Sequence, residues 1–165
     1  MLATRDPVRA VTVRIADLAV ATAPARLVTS GLGSCIAIVL HDGIARVGGL
    51  AHVLLPAAGT NVTGSPAKYV ATAVPALVTR MRDVGATDAL RARLVGGARM
   101  FGTLLPPNAP AVGERNVDAA RHALAQHGIE IVAEDIGGDF GRHVELDVAT
   151  GGVLVRSFAR EPLAL

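Results

Sequence analysis

The chain has 165 residues, a net charge of +2, and a composition 51% hydrophobic and 18% charged. That balance fits a single domain spanning residues 1–165 with its own core and little disorder. One cysteine excludes an internal disulfide and every multi-cysteine zinc cage, so no metal is expected. A single lysine, no tryptophan and 2% aromatics argue against a nucleic-acid surface, and the pI of 9.3 reflects only a small arginine surplus.

No apolar run approaches the length that spans a bilayer, which excludes membrane insertion through a helix. The opening "MLATRDPVRAVTV" lacks the apolar core of a signal peptide. A cytoplasmic location is therefore expected.

In chain order, Val11–Val20 alternates in part and predicts a strand, followed by a short one at Arg26–Thr29. Ile36–His41 and Ile44–Leu55 flank Asp42-Gly43, a favoured two-residue hairpin turn. After the polar stretch "AAGTNVTGS", Ser65-Pro66 supplies an N-cap and first-turn proline for a helix over 67–84. Val70, Val74, Leu77, Met81 and Val84 form its apolar stripe, Pro75 should kink it, and Gly85 can end it.

Arg91–Val95 predicts a strand, "LLPPNAP" a stiff loop, and Asn116–His127 a second helix with Val117, Ala120 and Leu124 inward. Ile129–Glu134, then Val144–Val148 with Val153–Phe158, complete the strands around the loops "GGDFGR" and "ATGG". Many strands with two main helices predict an α+β fold, a mixed β-sheet sandwich.

Cys35 follows the turn "GLGS" and precedes an apolar run. A lone cysteine there reads either as a small buried hydrophobe or as a nucleophile. Gly31 and Gly33 permit a turn whose amides, near Ser34 and Cys35, converge on an anion. With Asp42-Gly43 as the turn, Cys35 faces Leu50 and His52 lies diagonally on the same face, about 7–8 Å away between Cα atoms. A bulge at Gly48-Gly49 would change that register. Thr29 enters the turn with a hydroxyl able to orient the imidazole.

His41 beside the turn, and His122 and His127 on the second helix, read as solvated; His143 reads as a strand end that can line a pocket. "GLGSCI" is no dinucleotide fingerprint: the third glycine, the following helix and the distal acid are all missing.

Taken in order, "TSGLGSCI", "AHVLLP", "KYVATA", "VGGARMFG", "VGERN", "EDIGGDFGR" and "ATGGVLV" resemble the bacterial chemoreceptor glutamine deamidases of the CheD family, from about Leu27 to Val155. The resemblance implies a cysteine-hydrolase fold related to deamidating toxins, with Cys35 as nucleophile, His52 as base and acid, and Thr29 orienting the imidazole. Gly33 and Ser34 would belong to the oxyanion turn. It also implies chemoreceptor cytoplasmic helices as substrate, hydrolysis of γ-glutamyl methyl esters through the same acyl-enzyme, a CheC-type phosphatase as possible partner, and no cofactor.

Gly97, Gly138 and Arg142 read either as a rim that gives a receptor helix close access or as turns and an ion pair of the fold. A non-catalytic module that binds the phosphatase or the receptor is the contrasting class. The enzymatic reading further predicts an accessible, thiolate-rich Cys35 at an open surface groove.

Overall fold

The computed structural model describes residues 7–58, 63–100, 104, 106 and 108–165. Phe101 and Gly102 of "VGGARMFG", and parts of the two loops at 59–62 and 105–107, lie outside the described residues. Two strands, β4 (Ile36–Asp42) and β5 (Val47–Val53), are buried at every position. A strand with no exposed residue needs cover on both faces of its sheet.

The cover is different on each face. β4 and β5 lie within a sheet ordered β2-β5-β4-β6-β7, with β2 at Asp17–Thr22, β6 at Leu90–Gly96 and β7 at Glu130–Ile136. Ile36, Ile38, Leu40, Ala51 and Val53 point to helices α1 (Val70–Asp83) and α2 (Val112–Gln126), meeting Val74, Leu77, Met81, Val117 and Leu124. Alternate residues Ala37, Val39 and Leu50 meet Leu27, Val144, Leu146 and Val155 of a second sheet.

That sheet is ordered β1-β3-β8-β9-β10: Arg9–Thr12, Ala25–Leu32, Arg142–Asp147, Val153–Ser157 and Arg160–Ala164. The β1–β3 and β6–β7 pairs are parallel and the others antiparallel. The result is the expected α+β mixed sandwich, with both helices outside one sheet.

Gly48 and Gly49 let the layers close. A Cβ at Gly48 would lie 2.9 Å from Leu146 and Val148, and one at Gly49 2.9 Å from Leu77 and Met81. The ladder runs through both without a shift, so there is no bulge. An added methyl at either site should strain the core by about 1–3 kcal/mol.

Several boundaries differ from those expected. The expected strand at Val11–Val20 is two strands in different sheets, separated where Ala16 adopts a φ of 57°. The β4–β5 turn spans residues 43–46, because the Asp42 carboxylate accepts from the Ile44 and Ala45 amides at 2.8 and 2.9 Å and holds a wider loop. Ser65 caps a short 3-10 turn, Pro66–Lys68, before α1, which continues through Pro75 to Asp83. Helix α2 starts four residues earlier than the apolar stripe implied, and β10 was not anticipated.

Candidate active site

The wider turn changes the expected pairing of Cys35 but not its face. Ala37 pairs with His52 and Ile36 with Val53, so the register is four positions from that of a two-residue turn. An even displacement preserves side-chain parity. Cys35 stands in the bend just before β4, two residues before Ala37, and is buried in the same inter-sheet cluster as Ala37, the ladder partner of His52. The opposite wall is β3, whose Thr29 pairs with Val144 and faces inward.

Thr29 and His52 are both buried, and Thr29 Oγ1 lies 2.7 Å from His52 Nδ1. The same hydroxyl donates to the Val13 carbonyl at 2.7 Å. A carbonyl can only accept, so the hydroxyl proton is committed to Val13 and Thr29 must accept from Nδ1–H. This fixes the neutral imidazole with its lone pair on Nε2. That Nε2 is buried and has no hydrogen-bond partner among the described residues.

The turn leading to Cys35 is held by its carbonyls. Gly33 O accepts from the Ala98 amide at 2.8 Å, Cys35 O from the Gly97 amide at 2.8 Å, and Ser34 O from Asn116 Nδ2 at 2.9 Å. No amide of Gly33, Ser34 or Cys35 donates to the backbone or side chain of another described residue. Pinned carbonyls, with the Gly33 and Ser34 amides unpaired among the described residues, are what an anion-holding concavity requires.

Asn116, fully buried in the first turns of α2, also donates to Leu54 O at 3.1 Å, tying the Cys35 turn to the chain just beyond His52. Its Oδ1 is buried without a partner among the described residues. This residue was read only as the start of a helix. Its signal was an asparagine four residues before Ala120 and eight before Leu124, on the stripe that faces the core.

Burial sets the electrostatics. It pushes the Cys35 thiol above its ordinary pKa, against a smaller lowering by the residue's own amide, and it pushes the His52 imidazole below its ordinary value. The resting site therefore holds a neutral thiol and a neutral imidazole. Cys35 is 5% exposed, so the accessible, thiolate-rich cysteine expected from sequence is replaced by a shielded, protonated one. The Met100 side chain packs over Gly33, where a Cβ would lie 3.0 Å from its Cγ.

The expected rim separates into packing and surface. Gly97 is buried, with a φ of +66°, and a Cβ there would lie 2.5 Å from Val117 and 2.9 Å from Gly113 O. Gly96 is equally constrained, since a Cβ would stand 2.4 Å from Cys35 O. Both glycines brace the cysteine turn from below and offer no access to a substrate.

Arg142 is 4% exposed and bonds Asp135 at 3.0 Å and the Gly137 carbonyl at 2.9 Å. It is an ion-pair element of the fold, since a guanidinium so committed is not free for a substrate carboxylate. Gly138 is exposed and accepts from the Arg99 amide at 2.8 Å.

His122 and His127 are exposed as expected. His41 is not: it is buried, with Nε2 2.9 Å from the Val148 carbonyl, because the wider turn leaves it inside the sandwich. His143 bonds Ser30 Oγ at 2.7 Å and lines a surface groove.

The α+β sandwich thus brings a tautomer-fixed imidazole and a buried hydroxyl together between its sheets, in the layer that also contains the Cys35 thiol. The family model for CheD chemotactic sensory transduction matches residues 54–157. A relative from Desulfitobacterium hafniense named "Probable chemoreceptor glutamine deamidase CheD" is 45% identical over 89% of this chain and 92% of its own. Relatives with the same printed name include one from Haloarcula marismortui, 42% identical over 93% of this chain and 88% of its own. Another, numbered CheD 2, from Geobacter metallireducens, is 47% identical over 89% and 93%. The chain belongs to the CheD family.

The family model begins beyond His52, but a continuous match over 89% of the chain takes in residues 29–52. A solved structure, Bacillus licheniformis hypothetical protein YfiH, superposes with a TM-score of 0.45 at 16% identity, over 72% of this chain and 49% of that one.

Proposed function

We propose that this protein deamidates glutamine side chains of chemoreceptors to glutamate, with Cys35 as nucleophile, His52 as general base and then acid, and Thr29 as the group that orients it. The observation that carries the reading is the Val13–Thr29–His52 relay, which leaves an unpartnered Nε2 in the same buried layer as the chain's sole cysteine. The names of the relatives supply the substrate class.

A neutral pair suits this chemistry. His52 Nε2 takes the Sγ proton as the sulfur attacks the glutamine side-chain carbon, and the amides at Ser34 and Cys35, the latter released from the thiol as the sulfur reacts, receive the developing oxyanion. Collapse of the intermediate breaks the C–N bond while His52 returns the proton to the nitrogen, releasing ammonia and leaving a thioester. Nε2 then takes a proton from water, whose oxygen attacks the thioester. Carboxylate and thiol are regenerated, and no redox partner or cofactor enters.

A γ-glutamyl methyl ester would pass through the same acyl-enzyme with methanol as leaving group. The reaction takes place in the cytoplasm, on the receptor's helical cytoplasmic segments, and a CheC-type phosphatase is a candidate regulator. Among the described residues no helix is long and apolar enough to cross a membrane.

The test is mass spectrometry of a chemoreceptor cytoplasmic fragment incubated with the protein. A gain of about one dalton per modified glutamine, absent with Cys35→Ala, is the expected result, since amide hydrolysis through this thiol requires it. Binding of the fragment with no mass gain would favour the non-catalytic module.

A further inference from the structure

A groove of about 900 Å³ lies at the end of the second sheet where β3, β8 and β9 meet, lined by Ser30, Gly31, Phe140, His143, Phe158 and Pro162 among others. Ser30 and His143 alternate along their strands with the inward Thr29 and Val144, so the groove faces away from β4 and β5. It is also next to the site in the chain. Gly31 lies four residues before Cys35, and Leu32 pairs with Arg142.

Two features of this groove bear on what it binds. The chain contains three Phe, one Tyr and no Trp, and neither hydrophobic core contains a Phe among the described residues. Yet two phenylalanines stand here, and Phe158, at the tip of the β9–β10 hairpin, is completely exposed. A large ring presented to water in a chain so poor in aromatics is the signature of an anchor for another molecule.

The second feature is charge. Asp135 is shared by Arg142 and Arg160, and both guanidiniums lie over the Phe140 ring, 4.2 and 5.3 Å from its centroid. Glu145 is likewise shared, by Arg26 at 3.3 Å and Arg156 at 3.7 Å. Each carboxylate serves two arginines, so each group retains a net positive charge. No acidic residue lines the groove. The lining is apolar at its centre and its charged residues are Arg142 and Arg156, with the exposed carboxylates Asp139 and Glu161 outside it, a surface complementary to an acidic helix that carries an apolar side chain.

We propose that this groove is an exosite for the chemoreceptor substrate: it takes an acidic, amphipathic helical segment remote from the glutamine being hydrolysed, with Phe158 as anchor and Arg156 and Arg160 facing the helix carboxylates. The proposal rests on the deamidase reading and adds to it the surface that selects a helix over free glutamine. Contacts remote from the reacting amide position that amide at the shielded thiol.

The test uses the full chain and a soluble chemoreceptor cytoplasmic fragment. Binding is measured by calorimetry in a Cys35→Ala background, and turnover by the mass gain with Cys35 intact. Phe158→Ala and Arg156→Glu are each expected to weaken Kd and raise KM about ten-fold or more, with the loss falling on KM rather than kcat. Arg156→Glu should also flatten the salt dependence of binding. Ile44→Ala, an exposed apolar residue in the turn at the opposite end of β4, is the control expected to leave both constants unchanged.

Turnover with unchanged Kd and KM in both groove variants would overturn the exosite and leave the deamidase reading intact. Binding that the groove variants weaken, without any mass gain from the intact chain, would overturn the deamidase reading and leave the groove. A fragment that no form of the protein binds, or variants that lose only a phosphatase partner, would overturn the assigned occupant.

Discussion

The interior between the two sheets contains two buried histidines, one at each end, and they are not alike. His41, at the turn end of β4, has its Nε2 satisfied by the Val148 carbonyl, and a Cβ on Gly151 would lie 2.5 Å from its ring. His52, at the cysteine end of β5, is anchored through Nδ1 and has an empty Nε2. A buried polar group without a partner costs about 1–3 kcal/mol, and proteins retain few of them. In the layer between sheet and helices the buried polar side chain on α2 is Asn116, an amide that does not titrate. The unsatisfied nitrogen thus sits where the proposed reaction needs a base, while the satisfied one completes a wall.

The largest effect expected from this contrast is on rate. His52→Ala and Cys35→Ala should each reduce receptor deamidation by about 10⁴-fold or more, because nucleophile and base act as a unit. His41→Ala should instead destabilise the fold, by about 1–3 kcal/mol from the Val148 carbonyl left unpaired. Its rate per folded molecule should match that of the unmodified protein. Thermal melts and mass-resolved turnover separate the two, and an inactive but stable His41→Ala would erase the distinction.

Thr29 comes next. It contributes neutral hydrogen bonds, so its loss leaves both reacting groups in place but frees the imidazole to flip or change tautomer. Thr29→Ala should lose roughly ten- to a thousand-fold in rate while still binding receptor, and Thr29→Ser should recover part of it. An equal rate for Thr29→Ala would mean that another group orients His52.

Asn116 tests the turn itself. Removing its amide frees the Ser34 and Leu54 carbonyls, which should loosen the amides that receive the oxyanion. Asn116→Ala should lower kcat by roughly ten-fold with a smaller change in KM, because the turn matters most in the transition state. Asn116→Asp removes the donor but keeps the shape, and should be no better. A change confined to KM would place Asn116 in substrate binding instead.

These residues were unequally legible in the sequence. The helical stripe Val70–Val74–Leu77–Met81 and the strands around it follow from local periodicity, which needs no knowledge of the partner layer. Cys35 and His52 were legible because a hairpin is local, and an error of four in register cannot change the face. The width of the turn was not: Asp42-Gly43 has the right residues for a tight hairpin, but the Asp42 carboxylate caps a longer one and also accepts from Thr87, forty-five residues away. Long-range carbonyl partners of this kind are invisible to periodicity. The same holds for Val13 behind Thr29, Val148 at His41 and Asp135 at Arg142, where the sequence offered a surface histidine and an arginine equally readable as substrate rim or ion pair.

The two ends should also separate in their response to pH. At the cysteine end, burial holds His52 below the 6.5 of a free imidazole. Above pH 6.5 both folded and unfolded forms are neutral there, and the group contributes nothing against folding. As pH falls below 6.5 the unfolded chain takes up a proton that the native site resists, so stability declines until the folded pKa is reached and then levels off. The rate follows the folded value: kcat/KM should lose its base along an acid limb centred below pH 6.5.

At the turn end, burial opposes ionisation of Asp42, but hydrogen bonds from Ala45, Thr87 and Ile44 outweigh it and hold the carboxyl below its ordinary 3.8. Its contribution is complete above pH 3.8 and is lost as pH falls through the lower folded value. Denaturant melts across pH should therefore show two windows of falling stability. His52→Gln should remove the upper window, and Asp42→Asn should shrink the lower one, to which Glu134 and Asp135, held below their ordinary values by arginine partners, also contribute. If His52→Gln left the upper slope unchanged, the titrating group would lie elsewhere, and the acid limb of the rate could no longer be assigned to Nε2.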